Sequence, residues 1–211
     1  MRICLCALGV VVIGEHYFSE NPVSPERRGL VRGRLRGMDL EFVTSSGTFS
    51  VRKIDRGTRL LVESMILPDE GRVLDMGCGY GVVGVVAKRL APALEVWMAD
   101  INERATSLAR LNLERNGVEG MVVQGDLYVP LEGMRFSAVL SNPPFSAGLR
   151  QVVRPLVKGA ANHLKLGGNL QVVVQSQKGG RTLASMMEET FGGVEVLARG
   201  GGYRVLMSVR D

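Results

Sequence analysis

From Arg72 onward, short apolar runs rich in branched residues alternate with helix-length amphipathic stretches. The pattern predicts strands at 72–76, 94–99, 120–124, 136–141 and 169–175, and helices at 82–91, 102–116, 148–165 and 181–190. Such βαβ alternation leaves few solutions. It demands a mainly parallel sheet with helices on both faces, an α/β architecture. The end breaks the rule: Val194–Leu197 and Tyr203–Val209 flank Gly200-Gly201-Gly202 and read as an antiparallel hairpin at a sheet edge. Apolar residues make up 45% of the chain, enough to fill the core this architecture needs.

Residue counts remove several functions. Two histidines, His16 and His163, are too few for a histidine-rich metal centre and make a Ser-His-Asp hydrolase a poor fit. Three cysteines, Cys4, Cys6 and Cys78, cannot build a disulfide framework, and the odd number points to a reducing, cytoplasmic setting. Charge is uneven. Residues 1–60 hold 10 Lys/Arg against 6 Asp/Glu, 61–150 hold 8 against 11, and 151–211 hold 8 against 4. Basic ends around an acidic middle suit a polyanionic partner that touches the ends.

Upstream of the alternation, Ile3–Gly14 is apolar but shorter than the ~20 residues of a membrane-spanning helix. With one Arg before it and no clean small-x-small site after it, it is a poor signal peptide. It reads as a buried strand around Val10–Ile13, or as a start placed too far upstream; no membrane association is expected. A hairpin is predicted next. Arg32, Arg34 and Arg36 alternate with Val31, Gly33 and Leu35, and Gly37-Met38 can form a type II′ turn, which sets Arg36 opposite Asp39 and Arg34 opposite Glu41. The arginines are either a nucleic-acid footprint or cross-strand ion pairs; pairing in that register would leave Arg27, Arg28 and Arg32 available. Thr48–Val51 reads as a further short strand, and Asp55-Arg56-Gly57-Thr58 as the opening of a helix.

The chemistry concentrates at strand ends. Asp75-Met76-Gly77-Cys78-Gly79-Tyr80-Gly81 is a strand, a glycine turn and a helix start. Gly79, Gly81 and Gly84 satisfy G-x-G-x-x-G, and Asp100 follows at the end of the next strand, where a carboxylate can accept both ribose hydroxyls. A dinucleotide and S-adenosylmethionine both fit so far. Asp75 separates them: a carboxylate there repels a pyrophosphate and attracts the ammonium of a methionine moiety. Asp126 ends the third run, where it can accept from an adenine amino group while Leu127 walls the ring. Cys78 reads as a small pocket-lining residue rather than a nucleophile.

The fourth strand runs into Asn142-Pro143-Pro144-Phe145, on the side of the sheet where ligands of open α/β folds bind. An exocyclic amine is a poor nucleophile because its lone pair is delocalised into the ring. The Asn142 side-chain oxygen and the Pro143 carbonyl can each accept one of its N–H bonds and aim that lone pair at a methyl donor. Two prolines stiffen the loop, and Phe145 can stack on a base.

The glycine turn together with Asn142-Pro143-Pro144-Phe145 resembles class I S-adenosylmethionine-dependent N-methyltransferases. More narrowly, the chain resembles the "methyltransferase small" family, which includes small-subunit rRNA guanine-N2 methyltransferases and short archaeal relatives. The likeness runs from about His16-Tyr17-Phe18-Ser19 to the end and takes in Thr48-Phe49-Ser50, Asp55-Arg56-Gly57-Thr58, Glu189-Thr190-Phe191-Gly192 and Gly202-Tyr203-Arg204-Val205. It implies a Rossmann-like, seven-stranded, mostly parallel sheet with the last strand antiparallel, in a catalytic domain at 57–211 behind an extension at 1–56. It implies that Asp75 and Gly77–Gly81 hold the methionine part, Asp100 the ribose, and Ile101 and Asp126 the adenine; Asn102 and Leu127 complete the expected cofactor-binding set. Bacterial members carry a second, degenerate domain ahead of the catalytic one. Here about 55 residues precede Gly57, so substrate choice falls to the hairpin, a partner or a homodimer.

The expected activity is methyl transfer from S-adenosylmethionine to guanine N2 of ribosomal RNA. Arg27, Arg28, Arg32, Lys53, Arg56 and Arg59 are candidates for phosphate contacts. Adenine N6, tRNA guanine N2 and a protein glutamine amide are alternative targets. A non-catalytic S-adenosylmethionine-binding module and an NAD-dependent oxidoreductase are the readings from other classes.

Overall fold

The computed structural model describes residues 25–145 and 148–211. The apolar run at Ile3–Gly14, Cys4, Cys6 and His16 lie outside the described residues. A two-stranded hairpin, β1 (Arg28–Leu35) and β2 (Met38–Ser45), precedes α1 (Arg56–Ser64). Then follow β3 (Gly71–Met76), α2 (Val82–Leu90), β4 (Leu94–Asp100), α3 (Glu103–Arg115), β5 (Met121–Gln124) and β6 (Phe136–Ser141). The chain closes with α4 (Arg154–His163), β7 (Leu164–Gln175), α5 (Gly180–Phe191), β8 (Glu195–Gly200) and β9 (Tyr203–Val209).

The main sheet has seven strands in the order β5-β4-β3-β6-β7-β9-β8, with β9 antiparallel to both its neighbours. The alternation in the sequence therefore produced the expected sheet, including the terminal antiparallel hairpin. Strands alternate their side chains between two apolar layers. One layer packs Val73, Val96 and Leu140 against α1, α2, α3 and the hairpin. The other packs Leu74, Met76 and Val139 against α4 and α5. Strand order reverses between β3 and β6, so the crevice expected of an open α/β sheet opens at their carboxyl ends.

The hairpin register differs from the expected one by two residues. Its turn is Arg36-Gly37, both at positive φ (49° and 79°), the type I′ geometry that matches strand twist. Leu35 then faces Met38, Arg34 faces Asp39 and Arg32 faces Glu41. A shift of two keeps every side chain on its face, so the hydrophobic pattern could not distinguish the registers; turn chemistry did. The hairpin is tied to the domain through α3. The Val43 N–H donates to Asn112 Oδ1 at 2.7 Å, and Asn112 Nδ2 returns a bond to the Val43 carbonyl at 2.9 Å. Asn116 treats Glu41 in the same way, so two side-chain amides satisfy the outer edge of β2 as a third strand would.

Three other expectations fail locally. Thr48–Val51 is a chain of turns, not a strand, with Ser50 at φ 55° and the Thr48 hydroxyl bonded to the Ser45 carbonyl at 2.6 Å. The helix expected over 148–165 is split: a π-helical turn, Leu149–Val153, precedes α4, which has a proline in its first turn. β7 begins at Leu164, five residues before the expected start, and its pairing to β6 jumps from Leu164 to Asn169 around Gly167-Gly168.

Candidate active site

A cavity of about 310 Å³ sits at the β3–β6 crevice. Its floor is the turn after β3. Gly77, Gly79 and Gly81 all have positive φ (70°, 54° and 92°), which a side-chain-bearing residue adopts only with strain. The Gly77 and Cys78 N–H groups donate to the Ala99 carbonyl at 2.8 and 3.0 Å and pin the turn to β4. A Cβ on Gly84 would lie 2.2 Å from Met98 Cε, so glycine here lets α2 press onto the sheet. That approach brings the Gly84 N–H to Asp75 Oδ2 at 2.9 Å.

Asp75 and Asp100 both line the cavity. Burial pushes the Asp75 carboxyl up to about 7, opposed by its bond from Gly84 and reinforced by the neighbouring Asp100. Asp100 is also raised, chiefly by burial, although its oxygens accept from the Gly79 N–H at 2.8 Å and the Asn102 N–H at 2.9 Å. Asp126, Ile101 and Leu127 line the same space, Leu127 at φ 46°. Among the described residues no Lys, Arg or His side chain lines the cavity. Three carboxylates without a cation would repel a pyrophosphate and favour a cationic ligand. Among the described residues no metal-binding cluster exists. Cys78 lines the cavity with its thiol pushed well above the ordinary range by burial, unsuited to attack.

The opposite wall comes from β6. Met76 pairs with Ser141, and the Ser141 hydroxyl donates to the Met76 carbonyl at 2.8 Å, which locks the two strand ends together. Asn142, Pro143 and Pro144 follow directly and line the cavity. Asn142 Nδ2 donates to Thr58 Oγ1 at 2.9 Å and to Asp55 Oδ2 at 3.2 Å. A carboxylate only accepts, so the amide nitrogen must point at α1 and the oxygen must point away from it. Asp55 Oδ2 is itself fixed, since it caps α1 by accepting from the Gly57 and Thr58 N–H groups at 2.7 and 3.1 Å. Thus Asn142 Oδ1, which makes no hydrogen bond among the described residues, is left to accept from a ligand.

Several expected site residues lie elsewhere. Gly81 is the N-cap of α2, and Asn102 caps α3 while its Nδ2 holds the Gly47 carbonyl at 3.0 Å; neither lines the cavity. Phe145 turns away from the cavity and packs, half-buried, against the layer under α4 and α5. Phe49, from the turns after β2, lines the cavity instead. The hairpin arginines are engaged: Arg28 pairs with Glu26 at 2.8 Å and Arg32 pairs with Glu41, which also takes Arg115 at 2.7 Å. The two-residue register shift accounts for the second pair, because it sets Arg32 opposite Glu41. Arg27 donates its backbone N–H to the Ser46 hydroxyl at 3.0 Å, and none of the three lines the cavity.

A family model described as the methyltransferase small domain matches residues 39–207. The chain belongs to this family. A Bacillus subtilis (strain 168) member, YbxB, is 36% identical over 197 residues, covering 92% of this chain and 98% of its own. The ribosomal RNA small subunit methyltransferase C of Serratia proteamaculans (strain 568) is 36% identical over 170 residues, covering 79% of this chain and 48% of its own. Among solved structures, the T. thermophilus 16S rRNA N2 methyltransferase RsmC, in complex with AdoMet and guanosine, superposes with a TM-score of 0.80 at 28% identity. That match covers 90% of this chain and 52% of RsmC. The chain thus spans about half the length of its methyltransferase C relatives and nearly all of YbxB.

Within the methyltransferase small domain as it stands here, sequence reasoning missed the supporting half of the site. Asp55 and Thr58 read as a helix opening, which they are, but their grip on Asn142 spans 87 and 84 positions. The Thr-Phe-Ser segment at Thr48-Phe49-Ser50 was the signal available for Phe49.

Proposed function

We propose that this chain transfers a methyl group from S-adenosylmethionine to the exocyclic N2 amine of a guanine in small-subunit ribosomal RNA, in the cytoplasm. Residues 57–211 form the catalytic unit, and 1–56 the extension whose Phe49 and Asp55 complete the site. The observation that carries the reading is the fixed Asn142 amide, its oxygen released toward a cavity of carboxylates and apolar walls. Guanosine and AdoMet bound to RsmC, and the small-subunit rRNA named for the Serratia relative, support the target.

The residues present fit the cofactor. Asp75 and the Gly77–Gly79 turn would hold its methionine end, Asp100 its ribose hydroxyls, and Ile101, Asp126 and Leu127 its adenine. When bound, S-adenosylmethionine supplies a methyl group made electrophilic by a sulfonium. The protein's part is alignment. Asn142 Oδ1 and the Pro143 carbonyl accept the two N–H bonds of the target amine, so its nitrogen cannot rotate or stack away. Asp55 and Thr58 keep Asn142 from flipping and presenting a donor where an acceptor is needed. Phe49 offers the apolar wall expected of Phe145. Among the described residues no basic side chain lines the cavity beside Asp75, which keeps the cationic end of the ligand attracted there.

Mass spectrometry of nucleosides from small-subunit rRNA, with and without the gene, tests the reading. Loss of one N2-methylguanosine, restored by wild-type protein and not by Asn142→Ala, is expected. An unchanged rRNA with a methyl lost from protein would contradict it.

A further inference from the structure

The described residues carry a strongly basic surface next to the cavity, made from both ends of the sequence. Arg52 and Lys53, between Phe49, which lines the cavity, and α1, and Arg56, the first residue of α1, are exposed. Lys178, just before α5, Arg181, in its first turn, and Arg199, near the end of β8, supply the second half and are also exposed. Strand pairing sets Arg199 against Arg204, whose Nε donates to the Ser176 hydroxyl at 3.3 Å, two residues before Lys178. The two halves touch: a Cβ on Gly201 would lie 3.9 Å from Arg56 Cδ, and one on Gly57 would lie 3.0 Å from the Tyr203 ring. Asp55, beside Arg56, accepts from Asn142, so the surface reaches the target side of the cavity.

None of these seven cations forms an ion pair among the described residues. The hairpin differs in that Arg28 and Arg32 are both paired and Arg36 is held by the Glu63 and Met65 carbonyls, although Arg34 there forms no ion pair among the described residues. Like charges gathered without counter-ions repel one another and raise the local potential, an arrangement that favours a polyanion. We propose that this rim, rather than the hairpin, is the docking surface for the RNA strand flanking the target base, its phosphates lying along Arg52, Lys53, Arg56, Lys178, Arg181 and Arg199. The proposal rests on the methyltransferase reading above and names where its RNA runs.

The test titrates the full chain with a mixed-sequence single-stranded RNA oligonucleotide across a salt series, and with S-adenosylmethionine by calorimetry. The rim variant is Lys178→Gln/Arg181→Gln/Arg199→Gln, compared with the hairpin variant Arg28→Gln/Arg32→Gln. Removing three phosphate contacts should lower the slope of log K against log salt by about 2 and weaken RNA binding about tenfold or more. Cofactor affinity should stay as in wild type for both variants, and the hairpin variant should bind RNA as wild type does. Wild-type RNA affinity in the rim variant, an equal loss in the hairpin variant, or equally tight binding of polyglutamate of matched charge would overturn the proposal. The two readings fail separately. A wild-type chain that methylates no RNA, yet loses RNA binding with the rim, would sink the activity and keep the surface. RNA methylation undiminished in the rim variant at limiting RNA would keep the activity and sink the surface.

Discussion

The two walls of the cavity are built in different ways. On the cofactor wall, two of the acids are held by residues within 21 positions: Asp75 by Gly84, Asp100 by Gly79 and Asn102. On the target wall, Asn142 is held by residues more than 80 positions away, at the cap of the helix that follows the hairpin. One wall is a local motif that any α/β unit can carry. The other exists only once the N-terminal segment has folded onto the sheet. The difference teaches that cofactor affinity and target alignment should be separable by mutation.

Asn142→Ala should break the target wall alone. Turnover should fall about a hundredfold to a thousandfold, with S-adenosylmethionine affinity close to wild type by calorimetry. Asp100→Ala is its mirror image. Removing a carboxylate that can accept two hydroxyls should weaken cofactor binding by about a hundredfold, with turnover at saturating cofactor much less affected. A combined loss of affinity and turnover in both variants would erase the distinction between the walls.

Thr58→Val should sharpen it. The Asn142 amide then loses the nearer of its two acceptors, and turnover should fall about tenfold with cofactor affinity unchanged, while Thr58→Ser restores activity. Only a hydroxyl role predicts that rescue. Asp75 gives the cofactor wall a pH signature. Its carboxyl titrates at about 7 in the free protein, so part of it is protonated at neutral pH. A cationic ligand favours the charged form. Cofactor affinity should therefore fall as pH drops below 7, approaching tenfold per unit, with about half a proton released on binding at pH 7 and close to one at lower pH. For the free protein the sign is opposite: the raised carboxyl favours the fold below its unfolded pKa near 4, and that contribution is lost as pH rises through about 7. Asp75→Asn should flatten both profiles in calorimetry and thermal melts.

Smallest of all should be Arg32→Gln. Its pair with Glu41 is exposed and Glu41 keeps Arg115, so the melting temperature should stay close to that of wild type.

The sheet was legible because the apolar period of a strand survives folding, although β7 begins five residues before its pattern does. The acids at the ends of β3 and β4 were legible for the same reason: a strand end fixes where a side chain goes. Phe145 and the hairpin turn were not. Phe145 follows two prolines, and whether its ring turns to the cavity or the core depends on the α4 layer beneath it. The turn was ambiguous because registers two residues apart bury the same face, and only the positive φ of Arg36 and Gly37 selected one. Asp55 and Thr58 were visible as a helix cap. That the cap also grips Asn142 is a long-range contact that no local pattern encodes.

The central claim is that the Asn142 oxygen receives an exocyclic N–H of guanine. Paired RNA substrates, identical except that inosine replaces guanosine and so removes the N2 amine, test it directly with tritiated methyl donor. The account predicts labelling of the guanosine RNA as N2-methylguanosine and none of the inosine RNA. Equal labelling of both would contradict it.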